Sequence, residues 1–182
     1  MDRTKIYITI PWNTQKNIGV YYNDFMEKLD DDEWACFIDG DACFTTEYFG
    51  KQLEDIIAKY PECGLFTCKM SRIACVWQKA DNPDTDDMEF HREFGQRLAK
   101  NKYDLITDVS DVHRLHVLNG TLILISKKLW NKIGKCGEKD MLGIDNDFHW
   151  RAQAHSEKVY LMEGVYIYHW YRGGTEDLSH LI

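Results

Sequence analysis

The 182-residue sequence lacks several features that would assign it to a specialised class of protein. No apolar run approaches the roughly 18 to 20 residues that a membrane-spanning helix needs. Residues 1–5 lead directly into a short strand-like run, without the apolar stretch and cleavage site of a signal peptide. We therefore expect a single domain over residues 1–182, with no membrane span and a cytoplasmic location.

Cysteine pairs of the C-x-x-C type are also missing. The spacing of the six cysteines fits a zinc site poorly. Hydrophobic residues make up 44% of the chain, which is enough for a packed core and argues against a disulfide scaffold. We expect reduced thiols that pack as small hydrophobic groups.

The sequence has no basic run. Its formal net charge is −8, from 30 acidic and 22 basic residues. A nucleic-acid-binding protein that works through phosphate contacts usually has the opposite sign, so nucleic acid is not an expected partner. An acidic protein that binds an anionic nucleotide needs a cation to mediate the contact.

Apolar strand-like runs alternate with amphipathic helical segments along the chain. This alternation favours an α/β sandwich with a mostly parallel central sheet. The first strand is expected to be buried, and Trp34–Ile38 is expected to be central and covered on both faces. The predicted strands cover residues 5–10, 34–38, 64–70, 118–126, 158–162 and 165–168. The predicted helices cover residues 17–29, 46–60, 88–100 and 145–155.

The sharpest motif is Asp39-Gly40-Asp41, directly after the strand Trp34–Ile38. In an extended chain, residues two apart lean to the same side, so both carboxylates can face one ligand. Gly40 lets backbone or ligand come close. Ligands of open α/β sheets bind at the carboxyl ends of strands, where two oxygen donors suit Mg²⁺ or Mn²⁺. The alternative is a turn in which Asp and Gly satisfy backbone groups.

Two further clusters carry side chains that could act in catalysis or ligand binding. Asp145 and Asp147 open a predicted helix, where acidic groups either stabilise the N-terminus or supply a general base for an acceptor hydroxyl. His169 and Arg172 follow the last predicted strand, among aromatic residues and glycines. His169 could bind a metal and Arg172 a diphosphate, although a lone His after a strand is more often structural.

In their order and spacing, these clusters resemble the GT-A glycosyltransferases, and in particular glycosyltransferase family 2 and its relatives. The resemblance implies that the turn after the first strand, with Pro11, Trp12 and Asn13, binds the nucleotide. It also implies that the helix start at Asn17 and Gly19 lies near the donor.

The D-x-D motif of this family is matched by Asp39-Gly40-Asp41, and the resemblance implies that His169 completes the metal site. Asp41 would bind the ion directly, and Asp39 would act through water or the ribose of the donor. The resemblance covers roughly residues 5–174. The remaining donor-binding positions that it implies are Arg172 and the pair Asn119 and Gly120, in a stretch that resembles the strand whose glycine lets the donor sugar approach.

The implied reaction moves a sugar from a nucleotide-diphosphate-sugar to the hydroxyl of an unidentified acceptor. UDP-sugars are the commonest donors of metal-dependent GT-A enzymes, so a UDP-sugar is the implied donor. Mn²⁺ or Mg²⁺, with Arg172, would offset the charge on the leaving diphosphate. Asp145 is the implied base, with Asp147 as the second candidate. In-line attack would invert the configuration, whereas retention is the alternative, because the GT-A fold hosts both outcomes. The small size implies either a small acceptor or a homodimer that completes the site.

The chain departs from the family pattern in its first half. The family has a further strand–helix unit between the first strand and the helix at Asn17, so the nucleotide-binding half is abridged here. Ile144 stands where the family typically has Glu, which leaves Asp145 in the place of the usual base.

Two other functions fit part of the sequence. A haloacid-dehalogenase-like phosphatase also has an apolar strand followed by D-x-D, but normally on its first strand, and His169 would have no role in it. A non-catalytic sugar- or nucleotide-binding module would use the same pocket, and only the base Asp145 separates it from an enzyme.

Overall fold

The computed structural model describes residues 4–12, 14, 17–81, 84–112, 118–137 and 144–170, with only the backbone of residues 144 and 145. In these ranges seven strands form one sheet, and five helices accompany it. The strands are β1 (Ile6–Thr9), β2 (Trp34–Ile38), β3 (Ala42–Phe44), β4 (Cys63–Met70), β5 (Ile106–Asp108), β6 (Leu122–Ser126) and β7 (Lys158–His169). The helices are α1 (Ile18–Glu27), α2 (Phe49–Lys59), α3 (Met88–Lys102), α4 (Lys127–Ile133) and α5 (Ile144–Ala154).

The strand order is β1-β2-β6-β4-β7-β3, with β5 also paired to β7. The pairs β1/β2 and β4/β7 are parallel, whereas β6 is antiparallel to both its neighbours and β3 and β5 are antiparallel to β7. The α/β class is confirmed, but the prediction of a mostly parallel sheet is wrong, because the sheet is mixed. Alternation of strands and helices does not determine whether neighbouring strands run parallel or antiparallel where the connections between them are short. β3 follows β2 after three residues, fewer than a parallel crossover needs.

The middle of the sheet is buried on both faces. Every residue of β2 and of β6 is buried, as predicted for Trp34–Ile38. The prediction of a buried first strand is wrong, since Tyr7 is 42% exposed and Ile8 is 44% exposed. Among the described strands β1 pairs only with β2, so it lies at the edge. An apolar run alone does not distinguish an edge strand from a central one.

The last strand is continuous where the sequence predicted two short strands. A Cβ at Gly164 would lie 2.2 Å from the Lys102 carbonyl oxygen, so glycine allows the end of α3 to approach β7. The buried side chain of Gln52 donates to the Gly164 and Tyr103 carbonyls at 3.0 and 2.7 Å. Gly164 therefore serves packing within a strand rather than a turn between two.

The described helices and cysteines bear on two sequence expectations. No helix in the described ranges combines the length and the apolarity that crossing a membrane would require. All six cysteines fall in those ranges, and each is a free thiol.

Gly95 of α3 is a steric constraint that can be tested. A Cβ at this position would lie 2.0 Å from Thr45 Oγ1, which donates to the Tyr166 carbonyl at 2.8 Å. We expect Gly95→Ala to lower the free energy of unfolding by about 2 kcal/mol, because overpacking and loss of a buried hydrogen bond outweigh the gain in helix propensity. Urea unfolding followed by circular dichroism measures the change.

Gly50 of α2 is the matched control, because a Cβ there would meet nothing within 4 Å. Gly50→Ala should be neutral or stabilising by up to about 1 kcal/mol. Equal effects of the two substitutions would show that the α3–Thr45 contact does not constrain the fold.

Candidate metal centre

Three side chains from distant parts of the sequence meet at the end of β2. One ligand atom each of Asp39, Asp41 and His169 lies within 4.8 Å of the other two. The His169 side chain is only 4% exposed, whereas that of Asp41 is 40% exposed and Asp39 is half-buried. Within the described residues this is the one cluster of three or more His, Cys, Asp or Glu side chains with metal-binding spacing.

Backbone pairing brings the two halves of this cluster together. After β2 the chain turns, and the Ala42 N–H donates to the Asp39 carbonyl at 3.1 Å. β3 then pairs with the end of β7, so that Ala42 lies opposite His169. The Trp170 N–H donates to the Asp41 carbonyl at 2.9 Å, one residue further along. The predicted metal residues are therefore adjacent, and β3 is the unpredicted element that makes them so.

The orientation of the His169 ring is fixed by a backbone carbonyl. His169 Nδ1 lies 2.7 Å from the Arg72 carbonyl oxygen, which can only accept, so Nδ1 carries the proton. In the neutral ring Nε2 then presents a lone pair, 3.5 Å from Asp41 Oδ1. Two acceptors face each other at that distance, and either a proton or a metal cation between them makes the arrangement favourable.

Ser71 holds the backbone of the same residue. The His169 N–H donates to Ser71 Oγ at 2.9 Å, and Ser71 Oγ donates to the His169 carbonyl at 3.1 Å. The sequence analysis assigned no role to Ser71 or Arg72. Ser71 acts through its hydroxyl and Arg72 through its backbone carbonyl, and neither belongs to a motif.

The donor set suits a divalent ion. Two ligands about 2.1 Å from one ion lie at most about 4.2 Å apart, so small side-chain rotations would bring all three atoms into a coordination sphere. Carboxylates suit Mg²⁺ and Mn²⁺, while an imidazole ligand is more typical of transition metals. The set of two carboxylates and one imidazole therefore fits Mn²⁺ better than Mg²⁺.

The predicted nucleotide-binding turn follows β1 and approaches the D-x-D turn. Ile10 Cγ2 lies 3.5 Å from the position that a Cβ on Gly40 would take, an ordinary van der Waals distance. Pro11 comes next, and Trp12 is 70% exposed. The third predicted residue of this turn, Asn13, lies outside the described residues.

The two predicted donor residues at the start of α1 have structural roles. Asn17 is the N-cap of α1, and its Oδ1 accepts from the Val20 N–H at 3.2 Å. Gly19 is buried in the first turn of the same helix. Helix capping and packing are sufficient to explain both residues.

The predicted donor-sugar turn lies directly beside the D-x-D motif. Asn119 Oδ1 accepts from the Thr121 N–H at 2.8 Å and from Thr121 Oγ1. The Thr121 carbonyl in turn accepts from the Asp39 N–H at 3.0 Å. Asn119 and Gly120 are therefore connected through Thr121 to the backbone of Asp39, the first residue of the D-x-D motif.

Asp147, one of the two predicted bases, forms an ion pair within its own helix. Its Oδ2 lies 3.0 Å from Arg151 Nε, although the N–H is not aligned for a hydrogen bond. Arg151 also donates to the carbonyls of Ile133, Gly134 and Lys135, at the C-terminal end of α4. Asp147 is thus part of the α4–α5 junction and is not in the metal cluster.

Aromatic packing links the start of α5 to β2 through Tyr22 of α1. The Phe148 ring lies 5.5 Å from that of Tyr22, which lies 4.5 Å from that of Phe37, two residues before Asp39. Of the remaining predicted site groups, the Asp145 side chain and Arg172 lie outside the described residues.

A scan against protein-family models gave no match, and a search of curated proteins gave none either.

His149 follows Phe148 in α5 and is a buried titratable group that was not singled out from the sequence. Its Nε2 lies 3.2 Å from the Val109 carbonyl, while Nδ1 has no hydrogen-bond partner in the described structure. Burial lowers the pKa of His149, and the hydrogen bond to Val109 opposes this only in part. The side chain lines a small, mostly apolar cavity together with Thr67 and Asn119.

The pKa of His149 predicts a pH-dependent stability. The unfolded-state pKa is about 6.5 and the folded-state pKa is lower, so between the two values the unfolded chain binds more protons. The free energy of unfolding should therefore fall as the pH drops below about 6.5, by about 1.4 kcal/mol for each unit of pKa difference. Chemical unfolding of the wild type between pH 7.5 and 5 measures this fall.

His149→Gln separates this contribution from those of other histidines, because its amide can still donate to the Val109 carbonyl. We expect the variant to show a shallower loss of stability with acid than the wild type. Identical pH profiles would show that His149 titrates alike in the folded and unfolded chains.

Proposed function

We propose that the chain is a metal-dependent glycosyltransferase of the GT-A type, which transfers a sugar from a nucleotide-diphosphate-sugar to an acceptor hydroxyl. The observation that carries this proposal is the meeting of Asp39, Asp41 and His169 within 4.8 Å. The resemblance assigned these three residues to one metal site, although His169 is far from the others in sequence. Further support comes from two segments, Ile10–Pro11 and Asn119–Gly120, which both lie near the D-x-D turn.

In this proposal Asp41 and His169 bind Mn²⁺ or Mg²⁺ directly, and Asp39 acts through water or the donor ribose. The imidazole favours Mn²⁺. A divalent ion held there would stabilise the negative charge that develops on the leaving diphosphate. The protein contributes a preset His169 ring, since the Arg72 carbonyl keeps the proton on Nδ1 and leaves Nε2 for the ion.

Asp145 is the proposed general base, and inversion of configuration is the proposed outcome. Asp147 is the weaker candidate, because Arg151 engages its carboxylate. Arg172 is proposed to bind the diphosphate. A UDP-sugar donor, a cytoplasmic location and a homodimer that completes the site belong to the same proposal, and the acceptor is unidentified.

A haloacid-dehalogenase-like phosphatase explains the described arrangement less well. Such an enzyme would use Asp39 as its nucleophile and later carboxylates such as Asp147 as metal ligands. Asp147 instead pairs with Arg151, while His169, which has no role in the phosphatase, joins the two aspartates.

A thermal-shift panel of UDP, GDP, CDP and ADP, with Mn²⁺ and with EDTA, tests the proposal. A ligand that binds only the folded state at 100 times its Kd stabilises it by about 2.7 kcal/mol. We expect one nucleotide to raise the Tm only when Mn²⁺ is present. Asp41→Asn should abolish this rise, while Asp55→Asn should preserve it, because Asp55 is a surface carboxylate paired with Lys51 and Tyr103.

Other results of the panel would contradict the proposal. No stabilisation by any nucleotide, together with stabilisation by Mn²⁺ plus phosphate mimics such as vanadate, would favour the phosphatase. A rise in Tm with a nucleotide that persists in EDTA would show that donor binding does not require the metal.

The role of Asp145 is tested separately with the nucleotide that the panel selects. Asp145→Asn should keep the Mn²⁺-dependent Tm rise but slow hydrolysis or transfer of the matching nucleotide-sugar by about 10²- to 10⁴-fold, the usual effect of losing a general base. Full activity in Asp145→Asn would refute the assignment of the base. Binding without turnover in the wild type, across acceptors, would indicate a non-catalytic binding module.

A further inference from the structure

The segment after β4 contains a fully buried amide, Gln78, whose side chain bridges to another part of the chain. Gln78 Nε2 donates to the Asn119 carbonyl at 2.9 Å, and Gln78 Oε1 accepts from the Asn119 N–H at 2.7 Å. One side chain thus pairs with both backbone groups of Asn119, as a neighbouring strand would. Nε2 also donates to Thr67 Oγ1 at 2.7 Å. Such a satisfied, buried polar network rigidifies what it joins.

The backbone of Gln78 is itself anchored to β4. Its carbonyl accepts from the Met70 N–H at 2.8 Å, and the Ala80 N–H donates to the Met70 carbonyl at 2.9 Å. Thr67 Oγ1, the third partner of the Gln78 side chain, donates to the Leu122 carbonyl at 3.1 Å. Gln78 therefore joins β4 to the start of β6 through bonds at both its backbone and its side chain.

The bonds continue from Asn119 to the proposed metal centre. Asn119 Oδ1 accepts from Thr121, and the Thr121 carbonyl accepts from the Asp39 N–H at 3.0 Å. The described hydrogen bonds of Gln78 involve neither the Asp41 nor the His169 side chain. Gln78 thus acts on the Asn119–Gly120 turn and only indirectly on the metal ligands.

We infer that Gln78 is a positioning residue for the donor sugar. It holds the Asn119–Gly120 turn at a fixed place beside Asp39. The glycosyltransferase resemblance behind the proposed function implies that the donor sugar approaches Gly120 there. This inference rests on the proposed function. It requires that loss of the Gln78 amide weakens binding of the nucleotide-sugar while leaving Mn²⁺ and the nucleoside diphosphate bound as before.

Gln78→Met tests the inference, because methionine has a similar volume but makes none of the three side-chain hydrogen bonds. Isothermal titration measures the affinities for the nucleoside diphosphate that stabilises the wild type and for its sugar derivative, both with Mn²⁺. Electron paramagnetic resonance measures the affinity for Mn²⁺ alone. We expect at least tenfold weaker binding of the nucleotide-sugar, with the other two affinities within twofold of the wild type.

Gln52→Met is the matched control. Gln52 is also fully buried and donates to two backbone carbonyls, those of Tyr103 and Gly164, beside α3 and β7. We expect this variant to lose stability as Gln78→Met does, yet to keep all three affinities. If both variants lose nucleotide-sugar binding equally, Gln78 contributes only to the stability of the fold, and the inference is overturned.

Gln78→Glu adds a readout that loss of packing would not produce. Its carboxyl can accept from the Asn119 N–H, and when protonated it can also donate to the Asn119 carbonyl or to Thr67. Burial raises the pKa of such a carboxyl, so lowering the pH restores a donor. We expect its nucleotide-sugar affinity, relative to the wild type at the same pH, to recover as the pH falls from 8 to 6. If the ratio of the Gln78→Glu affinity to the wild-type affinity does not change with pH, the inference is contradicted. This test holds even if Gln78→Met fails to fold.

Two different results would separate the positioning role of Gln78 from the proposed function. A wild type that binds no nucleotide with Mn²⁺ overturns both. A wild type that binds the nucleotide-sugar, with Gln78→Met binding it equally well, overturns the positioning role alone.

Discussion

The candidate site depends on one short antiparallel pairing, that of β3 with the end of β7. Because Ala42 lies opposite His169 and the Trp170 N–H donates to the Asp41 carbonyl, the imidazole cannot move away from the D-x-D turn without breaking the sheet. Backbone pairing is a stronger constraint than side-chain contact alone, since several bonds must open together. The backbone positions of the two aspartates and of His169 are therefore set before any ligand arrives, so binding requires only small side-chain rotations and its ordering cost is reduced.

A single loop after β4 supports both sides of this site. At its start, Ser71 and the Arg72 carbonyl hold the backbone and the ring of His169. Further along, Gln78 holds Asn119, next to the first carboxylate. The same stretch of chain thus links His169, the candidate metal ligand on β7, to the turn before β6. His169 and the Asn119–Gly120 turn, which were predicted to have separate roles, therefore share one support.

The sequence predicted local features well and long-range pairing poorly. Trp34–Ile38 could be placed because an uninterrupted apolar run is typical of a doubly covered strand, and Met88 begins α3 because Asp87 caps it. β3 could not be predicted, because three residues show no period and the strand exists only through its pairing with β7. The direction of β6 and the edge position of β1 are likewise decided by distant partners rather than by their own residues.

Electrostatics connects the site to the overall composition. Two carboxylates and a lone pair on His169 Nε2 face one point, in a protein with a formal net charge of −8. Without a cation this arrangement repels a diphosphate, and the buried imidazole faces an acceptor. A divalent ion would offset both carboxylate charges and bind the imidazole nitrogen, so the same point would then attract phosphate oxygens. In the proposed function, metal and nucleotide binding at this site are therefore coupled, because the nucleotide binds only after the ion.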